Sequence, residues 1–247
     1  GESTMKRTVV VLGVGALEGV GGAIAQRFAE ENFHVLLAGR TAAKIEATSE
    51  AISSQGGSVE PVVVDVTLEA DQDRLFDRAA TIGSPIESVI YNAGNNQPIP
   101  FEKLSEATFE EYWRVGCLGA FITAKRAIPL LAANGSSSFL VTGASASLRG
   151  RPKFGHFASA KGALRNLVQS LARQYWPEGV HVAHVIIDGA VNGDTVRTRF
   201  PGALERIGED ATLTPRAVAQ AFWAIHTQDP HAWTHEIDVR PSKESNW

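Results

Sequence analysis

Short apolar runs rich in β-branched residues alternate with longer segments of helical period, and this alternation restricts the fold more than any other feature of the chain. The runs span Thr8–Leu12, 34–38, 59–64, 88–91, 137–142, 181–187 and Glu236–Val239. Between the first six lie helical segments at 21–32, Ala42–Ser54, 68–82, 108–131 and 157–175. Strand followed by helix, repeated, demands right-handed βαβ units and hence a parallel sheet. The strands are apolar along their whole length, as they must be when helices cover both faces. The expected fold class is therefore α/β: one doubly wound domain over residues 5–247, with a seven-stranded, mostly parallel sheet and helices on both faces. No Pro-rich, Ser-rich or charge-block linker divides it. The least patterned stretch, 190–214, would hang over the carboxyl ends of the strands, where such sheets bind ligands, and is expected to be a mobile substrate lid. Gly1-Glu2-Ser3-Thr4, ahead of the only methionine, Met5, reads as a tag remnant.

Composition narrows the partners. Lys plus Arg is 23 against 27 Asp plus Glu, a formal net charge of −4, so the basic excess needed for phosphate-backbone binding is missing and nucleic acid is not expected. Apolar residues make up 44% and the mean hydropathy is −0.06. That suffices for a large core, while no run nears the roughly 18 consecutive apolar residues of a membrane span, so no membrane partner is expected. The single cysteine, Cys117, lies in an apolar helical stretch and has no partner for an internal disulfide. With no secretion signal in view, a reducing cytoplasm is the expected location.

The first strand runs into Gly13-Val14-Gly15-Ala16-Leu17-Glu18-Gly19-Val20-Gly21 and then straight into a helix, giving the spacing Gly15-x-x-x-Gly19-x-Gly21. Glycines so placed permit a tight turn, let backbone approach a pyrophosphate and allow close packing of the helix. The pyrophosphate would sit at the positive helix N-terminus. A bare glycine cluster reads equally well as turn chemistry; its place after a first strand and before an amphipathic helix is what points to a nucleotide. The second strand ends Leu37-Ala38-Gly39-Arg40-Thr41. A carboxylate there would bind both ribose hydroxyls of NAD, whereas Arg40 offers a planar cation to a 2′-phosphate. NADP(H) is thus preferred over NAD(H), with a solvated strand-end arginine as the bland alternative. Asp65-Val66 and Asn92-Ala93-Gly94 fall at strand ends on the same sheet edge and would complete the adenine and ribose side.

Over essentially its whole length the sequence resembles the short-chain dehydrogenase/reductase family. The resemblance rests on Gly15-x-x-x-Gly19-x-Gly21, on Asn92-Ala93-Gly94, and on Lys161 within Phe157-Ala158-Ser159-Ala160-Lys161, with Leu148-Arg149-Gly150-Arg151-Pro152 lying between the fifth strand and the lysine helix. It implies a Rossmann-type domain, usually a tetramer, that moves hydride between nicotinamide and a small-molecule substrate; fold alone would not establish that. It also implies cofactor contacts from Gly15, Leu17, Gly19, Val20, Gly21, Arg40, Thr41, Asp65, Val66, Asn92, Ala93, Gly94, Lys161, Gly189 and Val191.

The departures concern proton transfer. The family's tyrosine, four residues before the lysine, gives a proton to the developing alkoxide; here that position is Phe157, which has none to give. The partner serine aligns with Ala144, with Ser145 one place along, and the asparagine that holds a relay water aligns with Gly116. Asp188-Gly189 replaces the Pro-Gly after the sixth strand, and Gly193 stands where a threonine usually holds the carboxamide, with Thr195 beyond it. Cofactor positions are largely kept while proton-transfer positions are lost.

Phe157 and Lys161 are four apart and share a helix face. Lys161 is expected to hold ribose hydroxyls and raise the positive potential near nicotinamide, and Phe157 to pack beside it. Asp188 could be a buried acid with a raised pKa, could attract a cationic iminium, or could cap a turn. Ser145 and Ser147 could bond a substrate oxygen or be ordinary loop hydroxyls. His156, roughly 100° around the helix from Phe157, is given a surface or helix-start role. Tyr91 is expected to pack under the cofactor. His34, His181, His184, His226, His231 and His235 show no metal-ligand spacing, so no metal is expected. In the family the last strand often joins subunits, which implies a homodimer or homotetramer. Substrate choice falls to the loops 95–101 and 190–214.

The resulting reading is an NADP(H)-dependent oxidoreductase that reduces a carbonyl or imine-like group without a tyrosine, with Lys161, Ser145 and Asp188 as its catalytic candidates. Beside it stand an NADP-binding pseudoenzyme, acting as sensor or scaffold, and non-redox catalysis in the same cleft.

Overall fold

The computed structural model describes residues 5–244, so the expected tag remnant at 1–4 lies outside the described residues. The strands are β1 (Thr8–Leu12), β2 (His34–Gly39), β3 (Ser58–Val63), β4 (Ile86–Tyr91), β5 (Ser137–Ala144), β6 (Val180–Ile187) and β7 (Glu236–Val239). They form one sheet in the order β3-β2-β1-β4-β5-β6-β7, and every neighbouring pair is parallel. The helices are α1 (Val20–Glu30), α2 (Ala42–Ser54), α3 (Glu69–Ile82), α4 (Glu106–Trp113), α5 (Gly119–Asn134), α6 (Gly155–Tyr175), α7 (Asp194–Arg199), α8 (Pro201–Ile207) and α9 (Pro215–His226). The strand order reverses between β1 and β4, which opens a ligand crevice outside their carboxyl ends.

Alternation along each strand divides the core into two layers. Val10 and Leu12 of β1 join Leu75 and Phe76 of α3, Ala127 and Leu131 of α5, and Leu164 and Val168 of α6. Val9 and Val11 join Ile24 and Phe28 of α1, Ile45 and Ile52 of α2, and Phe222 of α9 on the other face. All four β1 valine and leucine side chains are fully buried, each worth about 1.5–3 kcal/mol against exposure.

Two segments depart from their sequence reading. The predicted helix at 108–131 belongs to a helical run from Glu106 to Asn134 that widens into one π turn at Arg114–Leu118. The wider turn leaves the Val115 carbonyl for the buried Tyr91 hydroxyl, which donates to it, and Gly119 supplies the room, since a Cβ there would collide with that hydroxyl. By length and composition alone this run could cross a membrane, but half of its apolar window is buried inside the fold. The stretch expected as an unpatterned lid holds α7 and α8. Arg197 bonds Asn192, and the Val191–Leu213 bridge closes the base of the excursion.

Candidate functional site

Apart from Lys161 on α6, every expected cofactor-contact segment follows the carboxyl end of a strand, so the parallel sheet gathers these along one edge. The turn after β1 is built by contacts that only glycine allows. Gly13 has φ +87°, its N–H and that of Val14 both donate to the Ala38 carbonyl at 3.0 Å, and a side chain there would strike the backbone of Asn92 and Ala93. Gly21 packs α1 directly onto the Gly13 carbonyl. Gly15 differs from both: a Cβ on it would meet nothing within 4 Å, so its bare face adjoins open space, and its own carbonyl is pinned by the Thr48 hydroxyl at 2.7 Å. Above it, Gly19 is the N-cap of α1; its N–H donates to the Ala16 carbonyl at 3.0 Å, and the helix has no side-chain cap and no acidic residue in its first turn. No side chain caps the N–H groups of that first turn, which is the arrangement that receives phosphate oxygens. Leu17 and Val20 are half-buried against the α1 core layer and shape the turn through packing.

At the end of β2, Arg40 is exposed and its guanidinium has no hydrogen bond or ion pair among the described residues. Thr41 begins α2. Past β3, Asp65 accepts from the Thr67 N–H and hydroxyl through one oxygen, while Val66 is buried beneath it. Past β4, Asn92 ties three strands together: its N–H donates to Leu12 at 2.9 Å, its amide to the Gly13 carbonyl at 3.2 Å, and its carbonyl accepts from the Thr142 hydroxyl at 2.8 Å. Ala93 is buried and Gly94, at φ +148°, is exposed. Tyr91 lies beneath them, 1% exposed, and burial raises its phenol well above the usual range.

Lys161 on α6 is 6% exposed. Its ammonium donates to the Thr142 carbonyl at 3.1 Å, lies 5.7 Å from the centre of the Phe157 ring, and sits beside Gly94, where a Cβ would come within 3.9 Å of Nζ. An ammonium carries three N–H donors, so one bond leaves two for a ligand. Burial lowers its pKa to about 8. Gly116, in the π turn, faces the same helix: a Cβ there would approach Ala160 Cβ to 2.9 Å.

The three remaining candidates behave differently from one another. Ser145 is half-buried at the end of β5 and anchors its turn by backbone, its carbonyl accepting from Leu148 and Arg149. Ser147 is buried, and its hydroxyl accepts from the Ala144 N–H at 3.1 Å, so it is a turn-holding residue. Asp188 is 3% exposed and held by two arginines: Arg149 Nη2 reaches its oxygens at 3.2 and 3.0 Å, and Arg240 Nη2 reaches Oδ2 at 2.5 Å. A carboxylate so occupied acts as an acceptor that ties loop, strand and tail together, in place of the proton donor or iminium site considered from sequence. The surface role considered for His156 also gives way. It stands at the start of α6 but is 1% exposed, bonds the Gln97 carbonyl at 3.0 Å, and meets the Tyr112 ring edge-on at 4.4 Å.

The 190–214 stretch packs against the turn after β1 and against α2. Gly189 has φ +146°, and Gly193 packs so tightly over the Glu18 carbonyl that a Cβ would come within 2.8 Å. Asp194 at the start of α7 faces Lys44 of α2 at 3.8 Å. Sequence reasoning missed Gly13, Thr142, Arg149 and Arg240. The first was visible as a glycine directly after a strand; the others acquire their roles only from tertiary neighbours.

A family model described as short chain dehydrogenase matches residues 8–202. A glucose 1-dehydrogenase of Gluconobacter oxydans is 30% identical over 183 residues, covering 73% of this chain and 68% of its own. The crystal structure of a short-chain dehydrogenase from Rhodopseudomonas palustris superposes with a TM-score of 0.80 at 32% identity, covering 95% of this chain and 98% of the other. The fold alone is shared with an NADPH-bound short chain oxidoreductase of Pseudomonas aeruginosa PAO1 containing an atypical catalytic center, with a TM-score of 0.86 at 18% identity over 98% of each chain.

Proposed function

The chain belongs to the short-chain dehydrogenase family, and on that premise we propose that it is an NADP(H)-dependent oxidoreductase that reduces a carbonyl or imine-like group of a small molecule without a tyrosine. The observation that carries this reading is Lys161, a buried ammonium with two unused N–H donors beside the bare backbone of Gly94. A nicotinamide cofactor fits the residues present. Gly15 leaves room for its pyrophosphate, the uncapped start of α1 offers N–H groups, Asp65 and Arg40 flank the adenosine end, and Arg40 supplies the unpaired cation that a 2′-phosphate attracts. When bound, it supplies the hydride.

The chain's own residues supply position and charge. Lys161 is held by the Thr142 carbonyl in a dry site, where an ammonium stabilises negative charge developing on a substrate oxygen far better than it would in water. With a pKa near 8 it is mostly charged at neutral pH and gives up a proton more readily than an ordinary lysine, so it serves as electrostatic stabiliser and as the nearest proton source. The Ser145 hydroxyl is a second donor to that oxygen. Asp188 keeps Arg149 and Arg240 in place. Phe157 is half-buried and closes one side of the site with an apolar ring. Loss of a general acid costs on the order of 10²–10⁴-fold in rate, which favours substrates whose reduction needs no strong acid. Relatives named as oxidoreductases support turnover over a binding-only role.

The test is NADPH oxidation against a panel of aldehydes, ketones and cyclic imines, with Lys161→Met alongside. Turnover that falls at least tenfold in that variant supports the reading; NADPH binding without turnover of any of them would favour the pseudoenzyme. We propose further that the protein is a cytoplasmic homodimer or homotetramer, which the single half-buried Cys117 and the four-residue edge strand β7 support. Light scattering with size exclusion checks the assembly.

A further inference from the structure

Between Glu111 and Glu178 the chain contains no aspartate or glutamate, yet it contains nine lysines and arginines, in a protein whose net charge is −4. This stretch supplies β5, the Ser145 turn and α6, and therefore Lys161 and Ser145. Some of its cations are matched from elsewhere: Arg114 by Glu110, Arg126 by Asp73, and Arg165 by Glu236. Those on the loop between β5 and α6 are not matched in the same way. Arg151 and Lys153 are exposed and have no ion pair among the described residues. Lys153 holds φ +70°, a conformation that favours glycine, and its carbonyl accepts the Ile99 N–H at 2.8 Å, which docks this loop onto the other substrate loop at 95–101.

Arg149 is the loop cation that is fixed in place by the fold. Its backbone N–H bonds the Ser145 carbonyl at 3.3 Å and its Nη2 bonds Asp188, so it spans the gap from the end of β5 to the end of β6. Only Nη2 is engaged; Nε and Nη1 have no partner among the described residues, and the side chain is 38% exposed. Asp188 does not rely on Arg149 alone, because Arg240, 18% exposed, also contacts it while bonding Asp238 at 3.0 Å. Glu244 packs with Pro241 and Leu213 against Gly189, on the tail side of this cluster. The arrangement is a guanidinium fixed at one nitrogen by a buried carboxylate and open at the others, which is how a protein pre-orients an arginine for a planar anion.

We infer that the substrate carries a carboxylate, received by Arg149, with Arg151 and Lys153 raising the local potential. This inference deepens the oxidoreductase reading and rests on it for the identity of the reacting group.

The test uses the full chain with saturating NADPH. Titration calorimetry compares benzoate with methyl benzoate, and NADPH oxidation compares 4-carboxybenzaldehyde with its methyl ester, each for the native protein and for Arg149→Met. Thermal melts confirm that the variant folds. Arg149→Lys, which keeps the charge and loses the fork, separates charge from geometry. The native protein should favour the carboxylate by about tenfold or more, the return of one charge-assisted pair, and the ratio should fall to near one in Arg149→Met. An ester bound or reduced as well as the acid, or a preference that survives Arg149→Met, would overturn the anion site while leaving the reductase reading intact. Benzoate preference without oxidation of NADPH by either aldehyde would uphold the site and count against carbonyl reduction.

Discussion

Gly116 of the π turn lies against Ala160 of α6 so closely that a Cβ on the glycine would come within 2.9 Å of the alanine methyl. The space beside Gly116 is thus filled by the neighbouring helix, and a larger side chain there is excluded by the packing of the π turn on α6. Gly116→Asn should destabilise the protein by about 1–3 kcal/mol, the usual cost of overpacking, with Ala160→Gly in the same chain recovering part of it. Urea unfolding measures both. An unchanged midpoint for Gly116→Asn would mean that the π turn yields easily and that the site is open to the asparagine.

Lys161 carries a stability cost with a defined pH signature. Its folded pKa of about 8 lies below the ordinary 10.5, so between these values the folded chain binds fewer protons than the unfolded chain and stability rises with pH. Below pH 8 the full penalty applies. Lys161→Met should therefore raise stability at pH 7 by on the order of 2–3 kcal/mol, and the gain should shrink as pH climbs from 8 to 10.5. Thermal melts across this range read the difference. A variant less stable than the native protein at pH 7 would show that the Thr142 contact more than offsets desolvation.

A second pH effect sits beneath β6 and β7. Burial pushes His226 down to about 4, helped by the charges of His181 and Arg7, and burial likewise lowers His181 and His184 despite their bonds to Thr234 and Glu236. Because the folded values lie below the ordinary 6.5, the stability these groups contribute is fully present above pH 6.5 and is lost as pH falls toward 4. His226→Gln keeps a side-chain partner for Ser138, which bonds the histidine at 2.8 Å, but cannot titrate. Its stability curve between these pH values should be flatter than the native one; an identical slope would assign the acid loss to other groups.

Much of this architecture is written locally. The strands and most helices show in the sequence because β-branched runs and helical periods differ in spacing, and the glycine turn after β1 shows because glycine is required where backbone meets backbone, as at Gly21, and leaves open space at Gly15. The π turn at Arg114–Leu118 does not show, since its cause is the Tyr91 hydroxyl arriving from another strand. Asp188 could not be assigned from sequence for the same reason: whether a carboxylate after a strand is a free acid or a clamped one depends on Arg149 and Arg240, which lie 39 residues upstream and beyond the lid in the tail. Lys161 was identified by its place in a motif, but its desolvation and its bond to Thr142 emerge only when α6 docks on β5. The helices of the 190–214 stretch escaped notice because α7 and α8 are six and seven residues long, too short for a periodic signal.

The claim that joins fold to function is that the cleft after β1 and β2 takes NADP(H) through Arg40. Fluorescence titration of the purified protein with NADPH and with NADH, following energy transfer from its five tryptophans, tests it directly when repeated on Arg40→Ala. The account predicts micromolar NADPH binding, weaker NADH binding, and a loss of about tenfold or more for NADPH alone in the variant, as expected for one charge-assisted pair to a phosphate. Equal affinities for the two nucleotides, unchanged by Arg40→Ala, would remove the basis for NADP(H), and failure of both to bind would contradict the oxidoreductase reading itself.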